Sequence, residues 1–398
     1  MKIALIAPTS IPSRRANTIQ VMKMAQALVL NGHDVHLAAP GDRSTLSGGF
    51  AKSKGAPLPM SKDADRPELK HHYGLTVEFP ITWLPTKPRF RGYDYALRAV
   101  RFSQLLHADL LYTRHPQTAA LSSLLSLPTI FEIHDLPQGQ GKTLLRAFLK
   151  GPGQRRLIAI TQALANALNR QSPIANLSIL PDGVDLSRYY NLPNPETARA
   201  LLVTEPLTFN LQPFQFTIGY TGHLYPGRGT DLLLTLAARL PEFHFLLVGG
   251  NPKDVHRLQN QITHHTSRIR NITLTGFIPN ADLPRYQAAC DLLLMPYQRR
   301  VAASSGGDIA PYLSPMKLFE YLAAGRAILS SDLPVFREVL NPENAVLLPP
   351  DDVDAWVNAI RDLHTHPEKR AALGARARQD AEKYTWEARA QKMLEGLG

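Results

Sequence analysis

The sequence predicts an α/β chain built from two doubly wound Rossmann-like lobes, and three observations lead there. Short apolar runs rich in Val, Ile and Leu recur along the chain, separated by stretches of helical periodicity. The runs are continuous rather than alternating, as parallel strands buried on both faces require. The pattern is complete twice, once on each side of a proline-rich stretch, and 398 residues exceed what a single core usually serves.

In the first half the runs are Ile3–Ala7, Val35–Ala39, Leu75–Phe79, Leu110–Thr113, Thr129–Ile133, Leu157–Ile160 and Leu177–Leu180. Between the first two, Val21, Met24, Ala25 and Leu28 fall on one face of a helix, and Asn31-Gly32 supplies its stop. Gly41–Pro67 is rich in Gly, Ser and Pro and reads as a long loop. The turn Pro8–Asn17 carries no G-x-G-x-x-G, which argues against a dehydrogenase. In the second half the runs are Phe216–Tyr220, Phe243–Val248, Ile272–Thr275, Leu292–Met295, Ala327–Ser330 and Ala345–Leu348. The expected division is a first lobe over 1–190, a connection over 191–213 with one helical turn, a second lobe over 214–378, and a final helix over 379–398 that crosses back to the first lobe.

Composition narrows the classes. No apolar run approaches the ~20 residues that span a bilayer, and Met1–Pro8 reads as a buried strand rather than a leader. Cys290 is the sole cysteine, which leaves no internal disulfide or multi-cysteine metal site and fits a reducing, cytoplasmic setting. The formal charge of +11 favours anionic partners: nucleotides, phosphorylated lipids or an anionic membrane surface. Its basic residues, among them Arg14-Arg15, Arg89/Arg91 and Arg98/Arg101, form no nucleic-acid motif. A solvated basic surface and peripheral contact with the inner face of a membrane are both compatible with them.

The chemistry concentrates in Ser304–Glu338. Ser314 suits an N-cap, with Pro315 at the first helical position, where its missing N–H costs nothing. Met316, Phe319, Leu322 and Ala323 form the expected buried face, Lys317 and Glu320 the exposed flank, and Gly325 the stop. Free first-turn N–H groups make an anion site, and a carboxylate one turn on can accept two ribose hydroxyls. Alone, this is an ordinary capped helix. Three glycine-bearing strand ends accompany it: Gly219–Gly229, Leu247–Asn251 and Thr275–Pro279. Each alone is a tight turn, but at the carboxyl ends of one parallel sheet they converge on one crevice, where Arg228 can neutralise a diphosphate.

The order of these elements resembles the retaining GT-B glycosyltransferases of family 4, also called group 1. The family's "GRLxPEKG" loop is matched by Gly222–Gly229, its "LVGxG" by Leu247–Asn251, its "GF/GxV" turn by Gly276–Ile278, and its "E-x-x-A-x-G-x-P-V-I-x-S-D…E" stretch by Glu320–Glu338. Phe131–Asp135 is similar to its "HD" strand end, and Leu180–Asp185 to its "PNGVD" turn. Arg15–Leu37 resembles a subgroup with "RANS-x-x-V-M-K-M" in place of the glycine-rich loop.

The resemblance implies a glycosyltransferase that moves a sugar from a nucleotide-diphosphate donor to an acceptor with retention and without metal or cofactor. Glu320 would hold the ribose, and Arg228 the diphosphate. The first-turn amides of Ser314, Pro315, Met316, Lys317 and Leu318 would hold the distal phosphate (proline contributing position only). Gly222 and His223 would line the loop, and Gly249, Phe277 and Ile278 would border the base. His134 would approach the donor sugar from the first lobe.

Two positions depart from the pattern. His223 stands where the family has an arginine, and Tyr312 where it has the first glutamate of an E-x7-E pair. Asp308 is the candidate substitute for that glutamate, the alternative being a turn residue. The acceptor is expected to be a lipid-linked or growing glycan, with no nucleic-acid partner. Rival readings are a non-catalytic nucleotide-sugar sensor of the same fold and a GT-B-like epimerase or hydrolase.

Overall fold

The computed structural model describes residues 1–41, 65–170, 173–203, 215–265, 269–302 and 307–397. The chain forms two compact units, Met1–Asp182 with Trp386–Gly398, and Gly183–Thr385.

Unit 1 is a parallel sheet of seven strands: β1 Lys2–Ile6, β2 Asp34–Pro40, β3 Ile81–Leu84, β4 Leu110–Thr113, β5 Thr129–Ile133, β6 Gln154–Ala159 and β7 Leu177–Ile179. Their order is β3-β2-β1-β4-β5-β6-β7, with Ile3 opposite Val35 on one side and Leu110 on the other. The direction of winding therefore reverses between β1 and β4, the position where open α/β sheets bind ligands. The first helix, Ala16–Leu30, buries Val21, Met24, Ala25 and Leu28 as expected, and Gly32 past its end takes φ +82.

One expected strand is absent: Leu75–Phe79 is not in the sheet. The helix Asp65–Tyr73 precedes it, the Leu75 N–H closes on the Lys70 carbonyl, and the Thr76 N–H donates to Gln26 Oε1. Those bonds use the backbone that a ladder would need, so the chain joins β2 only from Ile81. Most of the Gly41–Pro67 loop lies outside the described residues.

Unit 2 is a six-stranded parallel sheet of β8 Thr217–Thr221, β9 His244–Val248, β10 Ile272–Gly276, β11 Leu292–Met295, β12 Ala327–Ser331 and β13 Val346–Leu348. The order β10-β9-β8-β11-β12-β13 puts its reversal between β8 and β11. Leu233, Phe245, Leu292, Leu329, Trp356 and Ile360 form a core with almost no exposure. Each such side chain contributes about 1.5–3 kcal/mol by leaving water.

The boundaries fall elsewhere than the sequence suggests. Residues 183–190 belong to unit 2: the Val184 N–H bonds the Tyr384 carbonyl, Tyr189 donates to Gln287 Oε1 at 2.9 Å, and Arg188 grips Asn280. The expected one-turn linker holds a full helix, Pro195–Val203, while 204–214 lies outside the described residues. The helix Pro367–Ala381 also stays in unit 2, since Arg378 donates to the Ala323 carbonyl. The return to unit 1 thus begins at Trp386 rather than 379. There the helix Trp386–Leu394 packs on the first helix, with Asn31 donating to the Glu387 carbonyl and Arg156 to those of Lys392, Met393 and Glu395.

Candidate functional site

In unit 2 the glycine turns lie against one another. The Gly222 N–H donates to the Val248 carbonyl and the Gly249 N–H to the Gly276 carbonyl, both at 2.8 Å. A Cβ on Gly249 would stand 2.5 Å from the Gly222 carbonyl oxygen, and φ there is +115, so only glycine lets the two turns approach. Phe277 and Ile278 follow at the end of β10, both half-buried. The three strand ends that the sequence singled out form one surface at the end of β8, beside the switch point.

Arg228, in the loop after β8, donates from Nη1 to the Tyr297 hydroxyl at 2.8 Å, and its guanidinium lies 5.0 Å from that ring's centroid. Tyr297 follows β11, so the loop is pinned across the reversal of strand order. His223 stacks on Tyr225 at 4.7 Å with the rings nearly parallel.

The helix after the 3₁₀ turn Ala310–Tyr312 spans Met316–Ala324. It begins one residue later than expected: Pro315 rather than Ser314 is the N-cap, with no side-chain capping bond. The Leu318 N–H turns back to the Pro315 carbonyl, leaving the first turn's outward N–H groups to Met316 and Lys317.

The flank is also corrected. Met316 is only partly covered, whereas Lys317 is 9% exposed and runs under the glycine loop. Its Nζ lies 3.7 Å from the Tyr220 ring centroid and 5.3 Å from that of Tyr297, with no hydrogen-bond acceptor. Burial, then the Arg228 charge, hold its pKa well below the usual lysine range, against the pull of Glu320.

Glu320, partly exposed, faces two amides at 3.5 Å: Asn280 Nδ2 at Oε1 and Gln287 Nε2 at Oε2. Gln287 is held in turn by Tyr189, and Asn280 by Arg188. Tyr321 accepts the Thr221 N–H at 2.7 Å, tying the helix to the end of β8. Asp308 accepts the N–H groups of Val301 and Ala310 at 2.9 and 3.0 Å, and those bonds hold its pKa below the usual carboxylate range. The carboxylate is therefore engaged in fixing its own loop, the turn-residue role weighed for it above.

In unit 1 His134 sits just past β5 as one member of a buried polar network. Its Nε2 meets Glu132 Oε1 at 2.5 Å. Glu132, 1% exposed, also accepts from Gln20 at 2.7 Å and from Tyr112 at 2.5 Å, and pairs with Arg389 at 2.9 Å. Burial would raise this carboxyl, but Arg389 and then the His134 bond hold it far below the ordinary glutamate value. Burial, followed by the charge of Arg114, pushes His134 to about 4. Burial thus favours the neutral imidazole, and with Glu132 ionised the His134 Nε2–H donates to Glu132 Oε1. Asp182 shows the opposite sign, pushed up to about 7 by burial despite Arg389. Glu132, His134 and Asp182 bring three ligand atoms within 4.8 Å, a spacing a metal ion could bridge, but Arg389 already supplies the positive charge there.

Sequence reasoning missed Glu132, Arg389, Asn280, Gln287, Tyr220 and Tyr297. Glu132 had a signal, a carboxylate inside an otherwise apolar run; Arg389 and the amides had none, because their partners are remote in sequence.

Comparison with known proteins bears on the family and the fold. The model described as glycosyl transferases group 1 matches residues 215–366, and that described as glycosyltransferase family 4 matches 18–188. A GDP-mannose-dependent alpha-(1-6)-phosphatidylinositol monomannoside mannosyltransferase of Mycolicibacterium smegmatis is 28% identical over 56% of this chain and 57% of its own length. The phosphatidyl-myo-inositol mannosyltransferase of the same organism is 23% identical over 97% of this chain and 90% of its own. The chain thus spans little more than half of the first relative and most of the second. Among solved structures, the sucrose-phosphate synthase of Thermosynechococcus elongatus superposes with a TM-score of 0.71 at 19% identity, covering 98% of this chain and 97% of that one. The Anabaena protein HepE in complex with UDP-glucose gives 0.71 at 18% identity, covering 100% and 99%.

Two Rossmann-like units, one bearing glycine turns at its switch point, are the architecture of a GT-B sugar transferase. The chain belongs to the group 1 glycosyltransferases, family 4.

Proposed function

We propose that the chain transfers a sugar from a UDP- or GDP-sugar to a lipid-linked or growing glycan acceptor, with retention and without a metal. The observation that carries the donor half is the joined set of glycine turns in unit 2, with Arg228 and Glu320 beside them. In this reading Glu320 accepts the ribose hydroxyls, its carboxylate steered by Asn280 and Gln287, while Arg228 and the Met316 and Lys317 amides take the phosphates. Gly249, Phe277 and Ile278 border the base. His134, its tautomer fixed by Glu132, keeps Nδ1 available as an acceptor for a sugar hydroxyl.

The anomeric C–O bond breaks with its electron pair passing to the diphosphate. The acceptor hydroxyl forms the new bond on the same face, and its proton goes to the departing diphosphate. Cations fixed in advance stabilise that charge, the work a divalent ion does elsewhere. The sensor and epimerase readings are less favoured, since the relatives quoted above are named as transferases or a synthase.

Peripheral membrane contact has support in unit 1. Among the described residues no helix is long and apolar enough to cross a membrane. The helix Tyr93–Leu105 buries Tyr95, Ala96, Ala99 and Val100 and turns outward Tyr93, Leu97 and Leu105, the last two 61% and 70% exposed. Phe90 is exposed just before it, and Lys87, Arg89, Arg91, Arg98 and Arg101 are exposed around it. Apolar and aromatic side chains ringed by cations suit an anionic bilayer surface.

A thermal-shift screen of nucleotides and nucleotide sugars in EDTA tests the donor reading. Stabilisation by a UDP- or GDP-sugar is expected; none by any of them would reject it. Sedimentation with anionic against zwitterionic vesicles tests the surface, and equal binding to both would reject the membrane contact.

A further inference from the structure

Among the described residues of unit 2, the side chain least accounted for by the fold is Lys317. An ammonium removed from water needs an acceptor or a counter-charge, and Nζ of Lys317 has no hydrogen-bond partner. Its head lies against the faces of Tyr220 and Tyr297, with the Glu320 carboxylate attracting it without a hydrogen bond. Arg228 lies on the same Tyr297 ring, and its Nε is also without a partner. Two cations thus flank one aromatic ring.

The way out from Nζ is specific. A Cβ built on Gly222 would come within 2.9 Å of Nζ and 3.0 Å of the Lys317 Cε, so the bare backbone of this glycine is what lies over the ammonium. Gly222 takes φ +131 and sits where β8 meets the glycine turns. The Met316–Ala324 helix opens at the same place, and its second residue is Lys317 itself. Outward N–H groups, a guanidinium and an unpaired ammonium therefore converge beneath one loop.

We propose that the Lys317 ammonium, lying under Gly222, is a second cation of the diphosphate site and takes a phosphate oxygen as its missing partner. The proposal rests on the donor reading above. A diphosphate carries more than one negative charge, and Arg228 alone answers one of them. His223 adds no permanent charge. A phosphate oxygen beside Nζ would favour the ammonium form of Lys317, and the two tyrosine rings hold its head in position before any ligand arrives, so little reorganisation accompanies charge development on the leaving group.

The test compares Lys317→Met and Lys317→Arg with the wild type, titrating UDP, GDP, UMP and GMP by calorimetry. For the preferred base, Lys317→Met should weaken the diphosphate about 10–100-fold, as loss of a charge-assisted bond predicts, and leave the monophosphate nearly unchanged. Lys317→Arg should recover part of the diphosphate preference. A merely structural lysine would weaken both nucleotides alike, and that result, or an unchanged diphosphate affinity, overturns the assignment. Arg228→Ala separates the two readings: if it loses the diphosphate preference while Lys317→Met keeps it, the donor site stands and only Lys317 falls. If wild-type protein binds no nucleotide, the donor reading itself fails. Should Lys317→Met not fold, a wild-type crystal with the bound diphosphate decides. A phosphate oxygen within hydrogen-bond distance of Nζ is expected, and a Nζ still facing only the two rings overturns the proposal.

Discussion

Arg389 and Glu132 form a 2.9 Å ion pair inside unit 1, one from the helix Trp386–Leu394 and the other from β5, each at most 4% exposed. The guanidinium also donates to the Leu180 and Pro181 carbonyls, so the pair links β5, the turn after β7 and the returning helix. Removing one partner of such a pair leaves a buried charge without compensation. Arg389→Met should therefore cost about 3–5 kcal/mol, read as a fall in the denaturant midpoint. A loss below about 1 kcal/mol would mean that solvent reaches Glu132 and the pair is not closed.

Arg228→Ala should lower turnover about 100–1000-fold, the usual cost of one donor aimed at developing charge. Its effect should lie mainly in kcat. A change confined to KM would place Arg228 in ground-state binding only.

Glu320→Gln should weaken donor binding by about tenfold or more, because a carboxylate accepting two hydroxyls becomes an amide that also donates. Binding measured by calorimetry at unchanged affinity would remove Glu320 from the ribose.

Gly229→Ala probes the pinned loop. A Cβ there would lie 1.9 Å from the Pro296 carbonyl oxygen, and φ is +84, so steric overlap and backbone strain act together. A loss of roughly 2–4 kcal/mol is expected. A thermal midpoint equal to wild type would show that the loop relaxes freely.

Stability should fall in mild acid, and the sign follows from the histidines. His244, bonded to Thr273 Oγ1, is pushed to about 4 by burial and then by the charge of Arg199. An unfolded histidine gains its proton near pH ~6.5. Between those values the unfolded chain binds more protons, so the contribution is complete above about pH 6.5 and is lost as pH falls toward 4. His115 and His134, also pushed to about 4 by burial first, act in the same sense. Asp182, raised to about 7, acts in the opposite sense, since the fold keeps a proton that the unfolded chain releases near ~3.9. His244→Gln should flatten the decline of the unfolding free energy from urea titration between pH 7 and 5 by about 1–2 kcal/mol. Parallel pH profiles would show that His244 takes up its proton alike in the folded and unfolded chain.

The strands were legible because β1, β4, β9 and β11 are buried on both faces and read as nearly unbroken apolar runs, with β5 and β8 interrupted only by Glu132 and Gly219. Leu75–Phe79 looked the same but spends its first N–H groups on a helix end and on Gln26. The glycine turns were legible because close backbone approach leaves no substitute for glycine at Gly249. Lys317 was misread because helical periodicity reports which face a residue is on; it does not say that a long side chain can double back under a neighbouring loop. The division of the chain was misplaced because it depends on Arg188, Tyr189 and Val184 bonding to residues far along the sequence.

The return of Trp386–Leu394 to unit 1 imposes an order on synthesis. A ribosome releases the first sheet long before it makes Arg389, so through translation of the whole of unit 2 Glu132 has its hydrogen bonds from Gln20, Tyr112 and His134 but not its ion pair. The first lobe thus receives its buried guanidinium only after the second has been made, and a product cut short before that helix would carry the Glu132 carboxylate without its counter-charge.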